Sequence, residues 1–169
     1  MYYPFDPTRT ENSTPLPANR YYDYTQYVIS YRSPSRNLFN TRSNISYGSF
    51  YNGTKFSIQN NLSFRKQPIF NVSLRLNYDS IKLPDPYPSR DIWLITPKFE
   101  FTFTKKTFWT TYIQFSSQSE NLGINSRLQW RFAPLSDLYL VYNDNYFTKN
   151  SIIPQQRSIN LKLTYWINI

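Results

Sequence analysis

Cysteine and histidine are both absent from the 169 residues. Their absence removes thiolate and imidazole metal sites, Ser-His-Asp and Cys-His triads, and any disulfide framework. Glycine occurs three times and alanine only at Ala18 and Ala133, so neither a glycine-rich phosphate loop nor an alanine-rich helix is on offer. Acidic residues number 10 against 19 basic ones. No apolar run approaches the roughly 18 residues of a membrane helix. The first twenty residues lack a basic stretch leading into an apolar one, so they do not read as a secretory signal. They carry Pro4, Pro7, Pro15 and Pro17, and the composition predicts a linker or extended arm over 1–20 ahead of one domain at 21–169.

What is abundant is aromatic: one residue in five, far above the content of a disordered chain. From Tyr21 onward the apolar period is two. Ile159, Leu161, Leu163, Tyr165, Ile167 and Ile169 alternate with Ser158, Asn160, Lys162, Thr164, Trp166 and Asn168. The same alternation runs through Phe56–Arg65, Phe70–Asp79, Trp93–Thr104 and Leu122–Phe132, and more weakly through 39–51 and 109–117. Segments 21–32 and 137–147 read as strands of uncertain phase. Turn chemistry at Ser33-Pro34-Ser35, Asn52-Gly53, Lys66-Gln67-Pro68, Lys105-Lys106 and Ala133-Pro134 separates the segments. The pattern predicts an all-β, antiparallel up-and-down meander of about nine long strands.

Charge placement sharpens the fold class. In the strands with readable phase, Arg42, Lys55, Arg65, Arg75, Asp79, Lys98, Glu100, Arg127, Arg131 and Lys162 fall on the polar face, and the apolar face carries no charge. Most segments run ten residues or more, the length of a tilted transmembrane strand. Aromatic residues collect toward strand ends, Tyr47, Phe50, Tyr51, Trp93, Tyr146 and Phe147 at one level and Phe64, Phe101, Phe103, Phe108, Trp109, Trp130, Phe132, Tyr165 and Trp166 at the other, as interfacial girdles do. Connections counted back from the C-terminus alternate long and short. A transmembrane β-barrel in a bacterial outer membrane is the expectation, with membrane lipid as its first partner. Nine strands is odd where bacterial single-chain barrels are even, so the reading is of the C-terminal part of a larger barrel or of one completed by another chain.

Five stretches, Gly48-Ser-Phe-Tyr-Asn-Gly53, Ile113-Gln-Phe-Ser-Ser-Gln118, Asn125-Ser-Arg-Leu-Gln-Trp-Arg-Phe132, Ser136-Asp-Leu-Tyr-Leu-Val-Tyr-Asn143 and Leu161-Lys-Leu-Thr-Tyr165, carry a family resemblance. Residues 47–169 resemble the C-terminal domain of unknown function of Bacteroidota envelope proteins in which a carbohydrate-binding family 9-like domain precedes a barrel-like domain. The resemblance implies a Gram-negative outer membrane and a sugar-binding neighbour. It departs at Ile169, where outer-membrane assembly signals usually end in an aromatic residue.

The row Arg42, Lys55, Arg75, Lys98, Arg127, Arg131 and Lys162 is the candidate lumen-facing basic row. It predicts either an interior filled by cations paired with carboxylates and amides, or a lumen that focuses potential on anions or acidic glycans. Asp85, Tyr87 and Asp91, in the proline-broken loop of Pro84, Pro86 and Pro88, form a candidate outer-loop ligand site. Glu100 sits beside Lys98 on its own face, and no pair of carboxylates flanks a cleft as glycosidase chemistry requires. The chain is therefore not expected to be an enzyme, and no metal or cofactor is expected. Basic residues are spread from Arg9 to Lys162, mostly opposite the aromatic rings, which argues against a nucleic-acid platform. The function predicted is an anchoring or scaffold role in the envelope, with pore or glycan-related transport as its extension. The alternative is a soluble β-sheet module that binds glycan or another polymer through exposed aromatic side chains.

Overall fold

The computed structural model describes residues 6, 8, 14–17 and 19–167. Nine strands follow in chain order: β1 (Gln26–Arg32), β2 (Phe39–Phe50), β3 (Gly53–Lys66), β4 (Phe70–Lys82), β5 (Arg90–Thr104), β6 (Thr107–Ser116), β7 (Asn121–Ala133), β8 (Ser136–Phe147) and β9 (Ile153–Thr164). All but β1 run for 10 to 15 residues. β-Branched and aromatic residues at alternate positions suit a pleated strand, and the scarcity of alanine removes the competing helix. Each strand pairs antiparallel with its chain neighbours in one sheet, ordered β1 to β9.

The sequence predicts a barrel-type meander that is part of a larger barrel or completed by another chain, and the nine strands form one sheet that does not close into a barrel. β1 pairs with β2 and β9 with β8, and the two outer strands have no further ladder among the described residues. The physical reason lies in the odd count. In an antiparallel meander, first and ninth strands run in the same direction, so they cannot continue the antiparallel pattern by pairing with each other.

The ends of the elements depart from the sequence reading in two places. The β2–β3 turn sits on Tyr51 and Asn52, with Tyr51 at φ 52°, and Gly53 already belongs to β3. β9 stops at Thr164, whose partner Asp137 lies next to the start of β8, so the alternation through Ile167 runs past the ladder. Asn168 and Ile169 lie outside the described residues. Of the arm expected at 1–20, Thr8 and Leu16 are fully buried, and Arg90 Nη1 donates to the Thr8 carbonyl at 3.1 Å.

The ladders sort the side chains into two faces. Ile45 and Ile58, Leu62 and Leu74, Leu76 and Ile95, Ile113 and Ile124, and the run Leu128, Leu140, Leu161 are cross-strand partners on one face. Nothing among the described residues covers that face. Leu16, Ile81 and Leu83 are the only buried hydrophobic residues among those described, whereas Ile159, Leu161 and Leu163 are 68%, 69% and 63% exposed. The accessible surface, 12169 Å², exceeds by more than a third the roughly 8,800 Å² typical of a compact monomer of this mass.

Aromatic rings border the apolar face at both ends of the strands. At the end of the 67–69, 105–106 and 134–135 turns, ring centroids run Phe64 to Phe70 (5.6 Å), Phe70 to Phe101 (6.1 Å) and Phe101 to Trp109 (5.3 Å). Farther along the same border come Trp130 to Phe132 (5.8 Å) and Phe132 to Tyr165 (6.3 Å). At the opposite end, Phe56, Tyr78 and Trp93 are linked at 6.4 and 4.4 Å. Phe50, Phe108 and Phe147, counted with these belts on sequence grounds, fall by register on the polar face.

Two glycines are required by close approach rather than by backbone angle, since no glycine has positive φ. A Cβ at Gly53 would lie 2.1 Å from the Lys82 carbonyl oxygen, and one at Gly48 would lie 2.2 Å from that of Thr25. Backbone oxygens held in ladders cannot swing aside. Gly48→Ala and Gly53→Ala are each expected to cost about 1–3 kcal/mol in a denaturant titration. Gly123→Ala, where the nearest atom is the movable Asn145 Oδ1 at 3.1 Å, is expected to stay within about 0.5 kcal/mol of the parent.

Candidate functional site

The basic row lies on the polar face, and its members fall into two groups. Lys55 Nζ is 3.0 Å from Asp79 Oδ2 and 5.4 Å from the centre of the Phe50 ring, while Ser57 donates to the other carboxylate oxygen of Asp79. Lys98 Nζ is 2.7 Å from Glu100 Oε1, and Asn71 Nδ2 donates to Glu100 Oε2 at 2.6 Å. Both oxygens of Glu100 are therefore engaged. Arg131 Nε meets Asp137 Oδ1 at 3.2 Å, and Arg127 lies 6.0 Å from the centre of the Tyr139 ring. Arg42, Arg75 and Lys162 have neither an ion-pair partner nor a hydrogen-bond partner among the described residues.

Register explains why Arg42 and Arg75 stand apart. Arg42 is opposite Asn61 on one side and Arg32 on the other, and Asn61 is opposite Arg75. No carboxylate falls in that row from β1 to β4. Arg42 and Arg75 line a recess of about 350 Å³ with Asn44, Gln59, Asn61 and Asn77. A second recess of about 320 Å³ shares Arg42 and Asn61 and adds Arg32 and Arg65. Arg32 escaped the sequence reading because the phase of 21–32 was not legible; its pairing with Arg42 fixes the phase.

Apart from strand-end residues such as Lys82 and Asp91, the apolar face carries one charged inlay among the described residues, on a strand whose phase was also uncertain. Asp144, 1% exposed, pairs across the β8–β9 ladder with Arg157. Its Oδ2 accepts from Tyr142 at 2.5 Å, Tyr146 at 2.7 Å and Arg157 Nε at 2.8 Å. The Arg157 guanidinium also donates to the Tyr146 hydroxyl at 3.1 Å. Asp144 Oδ1 has no partner. A single layer of side chains provides this shielding, since the face is otherwise open. Two uncharged inlays sit nearer mid-strand: Asn60 Nδ2 donates to Ser43 Oγ, and Trp109 Nε1 and Thr111 both meet Ser126 Oγ.

The candidate outer-loop site does not converge. Asp91 Oδ1 accepts from the Tyr78 hydroxyl at 3.1 Å, at the border of the apolar face. Asp85 is exposed in the turn, and the Tyr87 N–H is bonded to the Pro84 carbonyl within it. The loop is tied across its base by Ser89 and Leu83. No group of three acidic side chains able to hold a metal ion occurs among the described residues.

Breaking a shielded ion pair by removing one partner is worse than removing both, because the remaining charge is left without its counter-ion. Asp144→Asn should therefore lower the urea midpoint more than the double substitution Asp144→Asn with Arg157→Gln. Equal midpoints would show that Arg157 finds water as readily as it finds Asp144.

No family model, no curated protein and no solved structure matches this chain.

Proposed function

We propose that the sheet is a section of a membrane-spanning β-barrel of a bacterial outer membrane, serving as an anchor or scaffold with its polar face toward the lumen. The observation that carries this reading is the uncovered apolar face. Apolar side chains left exposed or only part-buried across nine strands need an apolar solvent or a second layer of protein, and no second layer is present among the described residues.

Dimensions support lipid as that solvent. A strand of 12 residues such as β8 rises about 40 Å at ~3.3 Å per residue and projects to about 28 Å when tilted by ~45°, close to the hydrocarbon thickness. The two aromatic borders are separated by the same offset on three strands: Phe56 and Phe64, Phe70 and Tyr78, Trp93 and Phe101. That offset corresponds to about 26 Å along the strand and projects to about 19 Å at the same ~45° tilt, somewhat less than the roughly 25 Å apolar band between the girdles of outer-membrane barrels. At mid-face Trp109 and Thr111 share Ser126 Oγ, as polar groups in lipid must find partners, while Asn60 donates to Ser43 and leaves its Oδ1 without one. From β3 onward the connections alternate, 67–69, 105–106 and 134–135 at one end and 83–89, 117–120 and 148–152 at the other. The second set is the longer, as extracellular loops are.

Two open edges cannot stay unpaired in hydrocarbon. All-antiparallel closure around this odd sheet takes an odd number of further strands, from a preceding part of the chain or from another chain. The resemblance of residues 47–169 to the Bacteroidota envelope domain points the same way, resting on the quoted residues alone, and would place a sugar-binding module beside the barrel.

Tryptophan quenching tests the reading directly. Trp93, Trp109 and Trp130 lie on the apolar face by register. In single-tryptophan variants reconstituted in vesicles of brominated phosphatidylcholine, all three should be quenched at least about twofold relative to unbrominated lipid, with little quenching by aqueous iodide. Strong iodide quenching with no bromine effect would overturn the membrane reading and favour a water-exposed, polymer-binding aromatic face.

A further inference from the structure

We infer that the polar face of β1–β4 is a binding site for an acidic saccharide, with Arg32, Arg42 and Arg75 receiving its carboxylate or phosphate oxygens. The basis is an asymmetry within a single face. Over β5–β9, amides and cations are largely taken up by one another: Arg131 by Asp137, Arg127 by the Tyr139 ring, Asn125 by Asn143, and Asn143 by Ser158. Over β1–β4 Lys55 is paired with Asp79 nearer the strand ends, but the row through Arg32, Arg42, Asn61 and Arg75 and the amides beside it are idle. Arg32, Arg42 and Arg75 have no anionic partner, and the side-chain amides of Asn44, Gln59, Asn61 and Asn77 make no hydrogen bond among the described residues.

The idle groups are also gathered together. Arg32 faces Arg42 directly, a like-charge cross-strand pair that is unfavourable without an intervening anion. Asn61 separates Arg42 from Arg75, which places those two backbones about 10 Å apart at the ~4.8 Å strand spacing. The ~350 Å³ recess lies between them. Guanidinium forks match carboxylate and phosphate oxygens two at a time, whereas a carboxamide both donates and accepts and so suits a sugar hydroxyl. Cations framed by free amides therefore describe an anion carried on a polyhydroxylated body more closely than a bare inorganic ion. The site depends on the polar face alone and does not require that the opposite face meet lipid.

The test is isothermal titration of the folded full chain with trigalacturonate at low ionic strength, in detergent, or in buffer if the chain proves soluble without it. Maltotriose and inorganic phosphate serve as the neutral and non-saccharide comparisons. The double variant Arg42→Gln/Arg75→Gln should weaken trigalacturonate binding by at least about tenfold. Lys162→Gln, which removes an equally unpartnered cation of the same face on β9, should change it by less than about twofold. All three side chains are exposed, and an unchanged far-ultraviolet spectrum certifies that the variants fold. Undetectable binding to the parent protein, or equal losses in the two variants, would overturn the site. Phosphate binding as tight as trigalacturonate would overturn its assignment to a saccharide. Since the titration reports on the polar face and the quenching experiment on the apolar one, the two readings fail separately.

Discussion

A slip of one residue in any of the eight ladders would carry that strand's apolar side chains to the polar face and its charged ones to the opposite side. Everything else in this molecule depends on that parity being kept. Along the β3–β4 ladder, for instance, Phe56, Ile58, Leu62 and Phe64 oppose Ser80, Tyr78, Leu74 and Val72, while Lys55, Asn61 and Arg65 oppose Ile81, Arg75 and Asn71. The irregularities that do occur, after Thr102, Arg131 and Asn145, lie near strand ends. There a bulge redirects the chain without reversing the faces at mid-strand. With so little enclosed by a single layer, the register and the solvent of each face take the place of a core.

Parity was the most legible feature of the sequence because it is local. Strands of strict alternation such as Phe70–Lys82 and Asn121–Ala133 could be read, with their faces, from the residues alone. Strands β1 and β8 could not be phased, since Tyr27, Val28 and Ile29 are apolar in succession and Leu138–Tyr142 is apolar throughout. Both unphased strands contribute decisive residues, Arg32 in one case and Asp144 in the other. The turn at Tyr51–Asn52 was displaced by one residue because Asn-Gly is a strong hairpin signal. Here the glycine answers instead to the Lys82 carbonyl, a neighbour distant in sequence. The odd strand count was legible, and with it the mismatch of the two edges, but what pairs the outermost strands is a global property that no window of sequence records.

The candidate chemistry was only half visible for the same reason. A row of cations can be read from the alternation, but which of them is neutralised depends on the residue across the ladder. Lys55 and Arg75 look equivalent in sequence, each one of several basic residues on a polar face. Lys55 has Asp79 within reach along the neighbouring strand, and Arg75 has Asn61 on one side and Thr96 on the other. Register thus divides a uniform basic row into filled and unfilled parts.

The same division of labour explains how a charged pair is tolerated on the apolar face. Asp144 and Arg157 are cross-strand partners, and the Tyr142 and Tyr146 hydroxyls complete the coordination of a single carboxylate oxygen. The pair lies toward the end where β8 leads into 148–152, not at mid-strand, where the cost of polar groups in an apolar medium would be greatest. Tyrosine suits such a border because its ring meets the apolar phase while its hydroxyl reaches a polar partner. A sheet whose apolar face holds its charge near the rim, chiefly as the Asp144–Arg157 pair, and whose polar face has unpartnered arginines near one edge, faces two different solvents. The unpartnered arginines are stable where water or an anion can reach them, and the partnered pair is stable where neither is needed.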